Sequence, residues 1–181
     1  MSFIPEGNGD LITNFGPEDA FHYIYAILHS PSYRKRYAGF LKMDFPRIPI
    51  TSDLELFREL CELGGELVAW HLLEKPIQQT EYYFLGDTPS QPISPGYPKR
   101  YNDSIMVNPA EAFQQVPEDV WNFQIGGYQV CAKWLKDRRG RQLSAEDIAH
   151  YLKILSALTA TIELMGKVDE SIQAHGGWPI H

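Results

Sequence analysis

The sequence predicts an α+β domain that is predominantly helical with a small, short-stranded β-sheet. Three observations carry this. Apolar residues recur at helical spacing before residue 72 and again after residue 128. The middle of the chain is rich in Pro, Gly, Ser and Thr and holds two short strand candidates. The longest apolar stripe comes last, over Ile148–Val168. At 181 residues the chain fits one domain with tails, and a chain of this size buries roughly 70% of its unfolded surface. The expected organisation is a flexible tail over 1–16, a domain over 17–175 with a long loop near 86–99, and a C-terminal tail over 176–181.

The elements follow in order. Pro17-Glu18-Asp19 is a first helical turn, with proline early and acids at the positive helix end. Phe21, Ile24, Tyr25 and Leu28 continue it until Ser30-Pro31 stops it near His29. Pro31 opens a second helix, Ser32 to about Lys42, with Tyr33, Tyr37, Phe40 and Leu41 on one face. Residues 45–51 are an extended connector. Thr51 or Ser52 caps the next helix, with Glu55 placed for a capping box. That helix carries Leu54, Phe57, Leu60, Cys61, Leu63, Leu67, Val68 and His71. Gly64-Gly65 in its middle costs about 1 kcal/mol per glycine relative to alanine, so a close backbone approach or a bend is expected there.

Glu81–Leu85 and Ser104–Asn108 are the strand candidates, separated by a long loop over Pro89–Pro98. Pro117-Glu118-Asp119 starts another turn. Gly126-Gly127 precedes a helix from about Tyr128 to Lys136, and Tyr128 and Gln129 read as a tight turn packing on Trp121 and Trp134. Asp137–Arg141 is a basic turn, and Ser144 caps the last helix.

A search for chemistry finds little. The six histidines are dispersed and form no HExxH or paired Cys-x-x-Cys pattern, so no metal is expected. There is no GxSxG, no GxGxxG and no GxxxxGK[ST]. The acidic pairs Glu18-Asp19, Glu118-Asp119 and Glu146-Asp147 all fall at helix starts, where the helix dipole explains them. Cys61 and Cys131 lie far apart in apolar stretches and read as buried, reduced thiols. No apolar run approaches the roughly 20 residues of a membrane span, and the N-terminus has no basic region followed by an apolar one. The expectation is therefore a cytoplasmic protein with no catalytic centre, no cofactor and no membrane partner.

The formal charge of −7 counts against a free nucleic-acid binder if it is evenly spread. It is not. Residues 33–47 hold five basic residues against one acid, and residues 133–141 repeat that ratio. Lys99-Arg100-Tyr101-Asn102 is a smaller cluster. Each run taken alone fits a solvated face; together they fit one basic surface, since such side chains contact phosphates and base edges.

Two stretches resemble a known family. FHYIYAILHSPSYRKRYAGFLKMDFPRIP (21–49) resembles the segment that follows the methyltransferase portion of large single-chain bacterial restriction–modification enzymes, the Type ISP group. VWNFQIGGYQVCAKWLKDRRGRQLSAEDIAHYLKILSALTATI (120–162) resembles the closing part of their C-terminal specificity domain. ELGGELVAWHLLE (62–74) and HGGWPI (175–180) fit the same pattern. The resemblance implies a target-recognition domain that docks on an adenine-N6 methyltransferase core and helps select a double-stranded DNA sequence. It also implies no catalysis by this chain alone, which lacks an Asn-Pro-Pro-Tyr-type motif and a Gly-rich cofactor loop. It supplies no base-reading residue by motif. From residue type and clustering, the candidate DNA contacts are Arg34, Arg36, Arg47, Lys99, Arg100, Asn102, Lys136, Arg138, Arg139 and Arg141, most of them to phosphate. The competing reading is a protein-interaction domain that docks on a methyltransferase or another partner without touching DNA; exposed apolar residues on the last helix would favour it.

Overall fold

The computed structural model describes residues 1–76, 82–85 and 91–180. They form seven helices and eight short strands in two compact units, Met1–Glu74 with Ala160–His181, and Lys75–Thr159. The architecture is α+β and mainly helical, as the sequence predicts.

In the first unit, β1 (Ser2–Phe3) pairs in parallel with β2 (Asn14–Phe15), so the N-terminal segment folds back on itself. Helix α1 (Pro17–His29) follows with the expected bounds. Buried Asp19 accepts hydrogen bonds from the Gly9 and Gly16 N–H groups at 2.5 and 2.8 Å, tying that segment to the helix start. The helix expected over Ser32–Lys42 is two pieces, α2 (Pro31–Arg36) and α3 (Ala38–Leu41). The break falls at Tyr37, whose ring lies 5.0 Å from Tyr33 and 5.9 Å from Trp178.

Helix α4 (Leu54–His71) is capped by Asp53, not by Thr51 or Ser52. The Asp53 carboxylate accepts from both the Glu55 and Leu56 N–H groups, which a single hydroxyl does less well. Thr51 acts one step earlier, its hydroxyl oxygen accepting the Asp53 N–H. The expected close approach at Gly64 is present. A Cβ built there would lie 1.9 Å from the His22 carbonyl oxygen, so α1 and α4 pack backbone to backbone. Tyr23, Ile27, Leu56 and Leu60 fill the interface, joined by Val168 and Ile172 from the last helix. The C-terminal segment also docks. Ile180 is buried, and the Trp178 indole N–H donates to the Ser32 hydroxyl at 2.6 Å.

In the second unit, β3 (Tyr83–Phe84), β4 (Lys99–Tyr101), β5 (Ser104–Met106) and β6 (Ala112–Gln114) form an antiparallel sheet of order β3-β6-β5-β4. Both strand candidates are present in shorter form. Glu81 and residues 86–90 of the expected long loop lie outside the described residues. Helix α5 (Glu118–Asn122) leads into a small hairpin, β7 (Gln124–Ile125) and β8 (Tyr128–Gln129), and then α6 (Val130–Lys136). Gly126 and Gly127 both take positive φ, which the two-residue turn requires. Their Cβ positions meet open space, so backbone conformation and not crowding accounts for glycine there. Tyr128 projects into solvent, in contrast to the expected packing on tryptophan, while the Gln129 amide donates to the Trp121 carbonyl at 2.6 Å. The rings of Phe113 and Trp134 pack against buried Tyr151, at 4.4 and 5.1 Å between centres, in this unit's core.

Helix α7 (Ala145–Ala174) begins with the predicted Ser144 cap; the Ser144 hydroxyl oxygen accepts the Asp147 N–H at 3.0 Å. Its first half belongs to the second unit and its second half to the first. Among the described residues it alone is long and apolar enough to cross a membrane, a reach the sequence reading did not assign to it. Its apolar stripe is nevertheless committed to protein cores: Tyr151, Leu155, Val168 and Ile172 are all buried. Cys61 and Cys131 are buried and unpaired, and burial pushes both thiols up to about 12.

Two outcomes follow. Gly64→Ala should lower stability by about 1–3 kcal/mol, because α1 must move away from α4; thermal unfolding measures it. Burial holds the His29 imidazole down at about 4, and it lowers His71 as well. The unfolded chain then binds more protons than the folded one between roughly 6.5 and 4. Stability should fall as pH drops through that window, and a pH series of denaturant titrations should show a shallower fall for His29→Gln.

Candidate nucleic-acid interface

The second unit brings two of the three basic clusters together. Lys99 and Arg100 lie on β4, the edge strand of the sheet, and Asn102 forms the turn into β5. The turn Asp137–Arg141 closes α6, with Gly140 at φ +75°. Backbone hydrogen bonds join this turn to the segment ahead of β4: Ile93 N–H to the Arg141 carbonyl at 3.0 Å, and Gly140 N–H to the Ile93 carbonyl at 2.9 Å. Ile93 is 1% exposed, so the junction is anchored in the core. Tyr97 completes it. The Arg139 guanidinium donates from Nε to the Tyr97 carbonyl at 2.6 Å, and the Lys99 ammonium lies 5.3 Å from the Tyr97 ring centre.

The cations divide by environment. Lys99, Lys136, Arg139 and Arg141 are exposed, and no acidic side chain among the described residues forms an ion pair with them. Arg138 is turned inward. Its guanidinium carbon lies 3.5 Å from the Trp134 ring centre, and its Nε–H donates to Asp147 at 3.3 Å. The Ser144 backbone N–H and then Arg138 hold the Asp147 carboxyl below its usual range. Arg100 is also committed locally, donating to the Asp103 carboxylate at 3.0 Å with its side chain mostly covered.

The third cluster lies in the first unit. Arg34 donates to the Leu28 carbonyl at 2.5 Å, Arg36 lies over the Tyr37 ring at 5.9 Å, and Arg47 faces Asp44 at 3.9 Å with both side chains open to solvent. Such an exposed pair contributes about 0–1 kcal/mol. Beside them runs a strongly exposed apolar segment, with Phe40, Met43, Phe45 and Ile50 all 70–89% accessible. Phe40, Phe45 and Arg47 edge a concavity of about 360 Å³ floored by Tyr33 and Tyr37.

Sequence reasoning did not find Ile93 and Tyr97, the residues that join the clusters; backbone acceptors leave no mark in residue type. It also missed a grouping in the first unit, where Glu55, Glu59 and His175 each place one ligand atom within 4.8 Å of the others. His175 is remote from the glutamates in sequence, so no spacing rule marks the set. Ser171 engages two members: its hydroxyl donates to Glu59, and His175 Nδ1 lies 3.0 Å from its carbonyl.

These features define a small, non-repetitive α+β module with a cationic edge. The model of the Type ISP C-terminal specificity domain matches residues 6–167, and the chain belongs to that family. Three solved structures share the fold. A nuclease-deletion mutant of the Type ISP restriction–modification enzyme LlaGI, in complex with a DNA substrate mimic, aligns with TM-score 0.63 and 23% identity over 85% of this chain and 14% of that one. A DrdV–DNA complex gives 0.65 and 20% over 83% and 18%. The ATP-dependent Type ISP enzyme LlaBIII bound to DNA gives 0.58 and 21% over 91% and 11%. The chain thus spans under one fifth of the length of these enzymes. No curated relative matches it.

The inward and outward arginines should behave differently. Arg138→Ala should cost about 1–2 kcal/mol through the lost stack and ion pair, whereas Arg139→Ala should stay within about 0.5 kcal/mol. Paired unfolding curves test the contrast.

Proposed function

We propose that this chain is a DNA target-recognition module that performs no catalytic step of its own and serves an adenine-N6 methyltransferase of the restriction–modification kind. The observation that carries this reading is the junction at Tyr97, which gathers Lys99 and Arg139 on one edge of an otherwise acidic chain, with Arg141 and Lys136 in the same turn and helix end. Family membership and the DNA present in all three structural relatives support it. Lys99, Lys136, Arg139 and Arg141 are the phosphate contacts. Arg100 and Arg138, included with them on sequence grounds, act by bracing the surface. Arg34, Arg36 and Arg47 form a separate cationic group in the first unit, beside its exposed apolar segment.

A specific feature also favours a protein partner. The apolar segment around Phe40, Met43, Phe45 and Ile50 exposes large side chains that water disfavours. We assign it to contact with the methyltransferase portion, which makes docking and DNA contact complementary roles. The buried stripe of α7 gives no support to docking through the last helix.

Binding to duplex DNA should weaken steeply with salt, because each neutralised phosphate releases about 0.9 counterion. Removing Lys99, Arg139 or Arg141 singly should reduce the slope of log K against log salt by about 1 each and weaken binding across sequences. Fluorescence anisotropy over a salt series reads both quantities. Salt-independent binding, or equal slopes for all variants, would contradict the assignment.

A further inference from the structure

We infer that the β4–β5 turn reads base edges through Asn102 and Tyr101, while the cations beside it hold phosphates. This rests on the DNA-recognition reading above and adds which side chains discriminate sequence. The turn has only two residues, Asn102 and Asp103, between the paired Tyr101 and Ser104. It is held from several directions. Arg100 donates to the Asp103 side chain, the Val116 N–H donates to the Asp103 carbonyl at 2.8 Å, and the Ser104 hydroxyl donates to the Gln114 side-chain oxygen at 2.6 Å. Arg100 gives up solvent to do this, since its Nε is buried without a hydrogen-bond partner. A buried donor without a partner is a cost, and Arg100 carries it while it holds Asp103. Opposite it on β5, Ile105 is fully buried and fixes the hairpin's root in the core.

A stiff support then presents Tyr101, Asn102 and the Asp103 carboxylate to solvent, and the Arg100 ion pair offsets the charge of the last. Tyr101 is 71% exposed, and Asn102 is exposed with no polar partner among the described residues. Their chemistry differs from that of the flanking cations. A carboxamide offers one donor and one acceptor side by side, the pattern that matches the N6 and N7 edge of adenine. A phenol ring offers apolar contact to a thymine methyl or a base face. A tip built to hold phosphate would carry the charge itself. Here the charge sits behind the tip, on Lys99 and on Arg139 at Tyr97. The rigid backbone lowers the entropy lost when these two side chains engage.

Asn102 also has a local reason to be asparagine, because its φ is +50° and asparagine tolerates that region. The substitution Asn102→Gly separates the two roles. Glycine keeps the turn and deletes only the amide. The full chain and its N102G, Y101A and K99A/R139A/R141A variants would each be used to select from a randomised duplex library at low salt, followed by affinity measurements on the enriched sequence. N102G should lose preference at one base pair by roughly ten- to a hundredfold, with an unchanged salt slope. Y101A should relax a neighbouring position. The triple variant should weaken all duplexes alike. An N102G motif identical to the parent's, or a parent that binds duplexes and enriches no motif, overturns the assignment of base reading and leaves the phosphate surface standing. A parent that binds no duplex at all overturns both.

Discussion

The proposed recognition surface depends on the backbone junction between residues 93–97 and the turn at 139–141. Two amide hydrogen bonds at Ile93 and one from Arg139 to the Tyr97 carbonyl set the separation of cations that lie far apart in sequence. Like charges repel, so bringing Lys99 and Arg139 to one residue needs a support that does not yield. Buried Ile93 supplies it, and Gly140 supplies the positive φ that lets the turn present its N–H. Behind this, Trp134 and Asp147 draw Arg138 inward, so the turn offers solvent a chosen subset of its guanidiniums.

The first unit solves a different problem. Its helices must approach closely enough to enclose Tyr23, Ile27 and Leu60, and the contact between Gly64 and the His22 backbone sets that distance. The C-terminal Trp178 and Ile180 then close the same core. The exposed phenylalanines at 40 and 45 stand outside this economy of burial. They are apolar surface that the unit itself does not use, which is why a protein partner is assigned there.

Much of this was readable in the residues. Helix α1 was predicted to its ends because Pro17, Glu18, Asp19 and the Ser30-Pro31 pair are strong local signals. Gly64-Gly65 pointed to a close approach or a bend, and the final apolar stripe marked the longest helix without deciding whether a core or a partner covers it. The cap of α4 and the break at Tyr37 were less visible, since each depends on which of several competent groups tertiary packing favours. The cationic residues were identified by type, and their division into outward and inward members was not. That division is set by Trp134, Asp147 and Asp103, whose proximity no sequence period encodes. The hydrogen bonds that Ile93 and Tyr97 make across the junction run through main-chain atoms, which leave no mark in residue type.

The central claim is that one edge of the second unit meets the duplex. Amide chemical-shift mapping by NMR during titration with duplex DNA tests it most directly. The account predicts that the largest changes fall on residues 97–104 and 136–141, with the core around Tyr151 unmoved. Changes that cluster only in the 40–50 segment, or that spread evenly over both units, would contradict it.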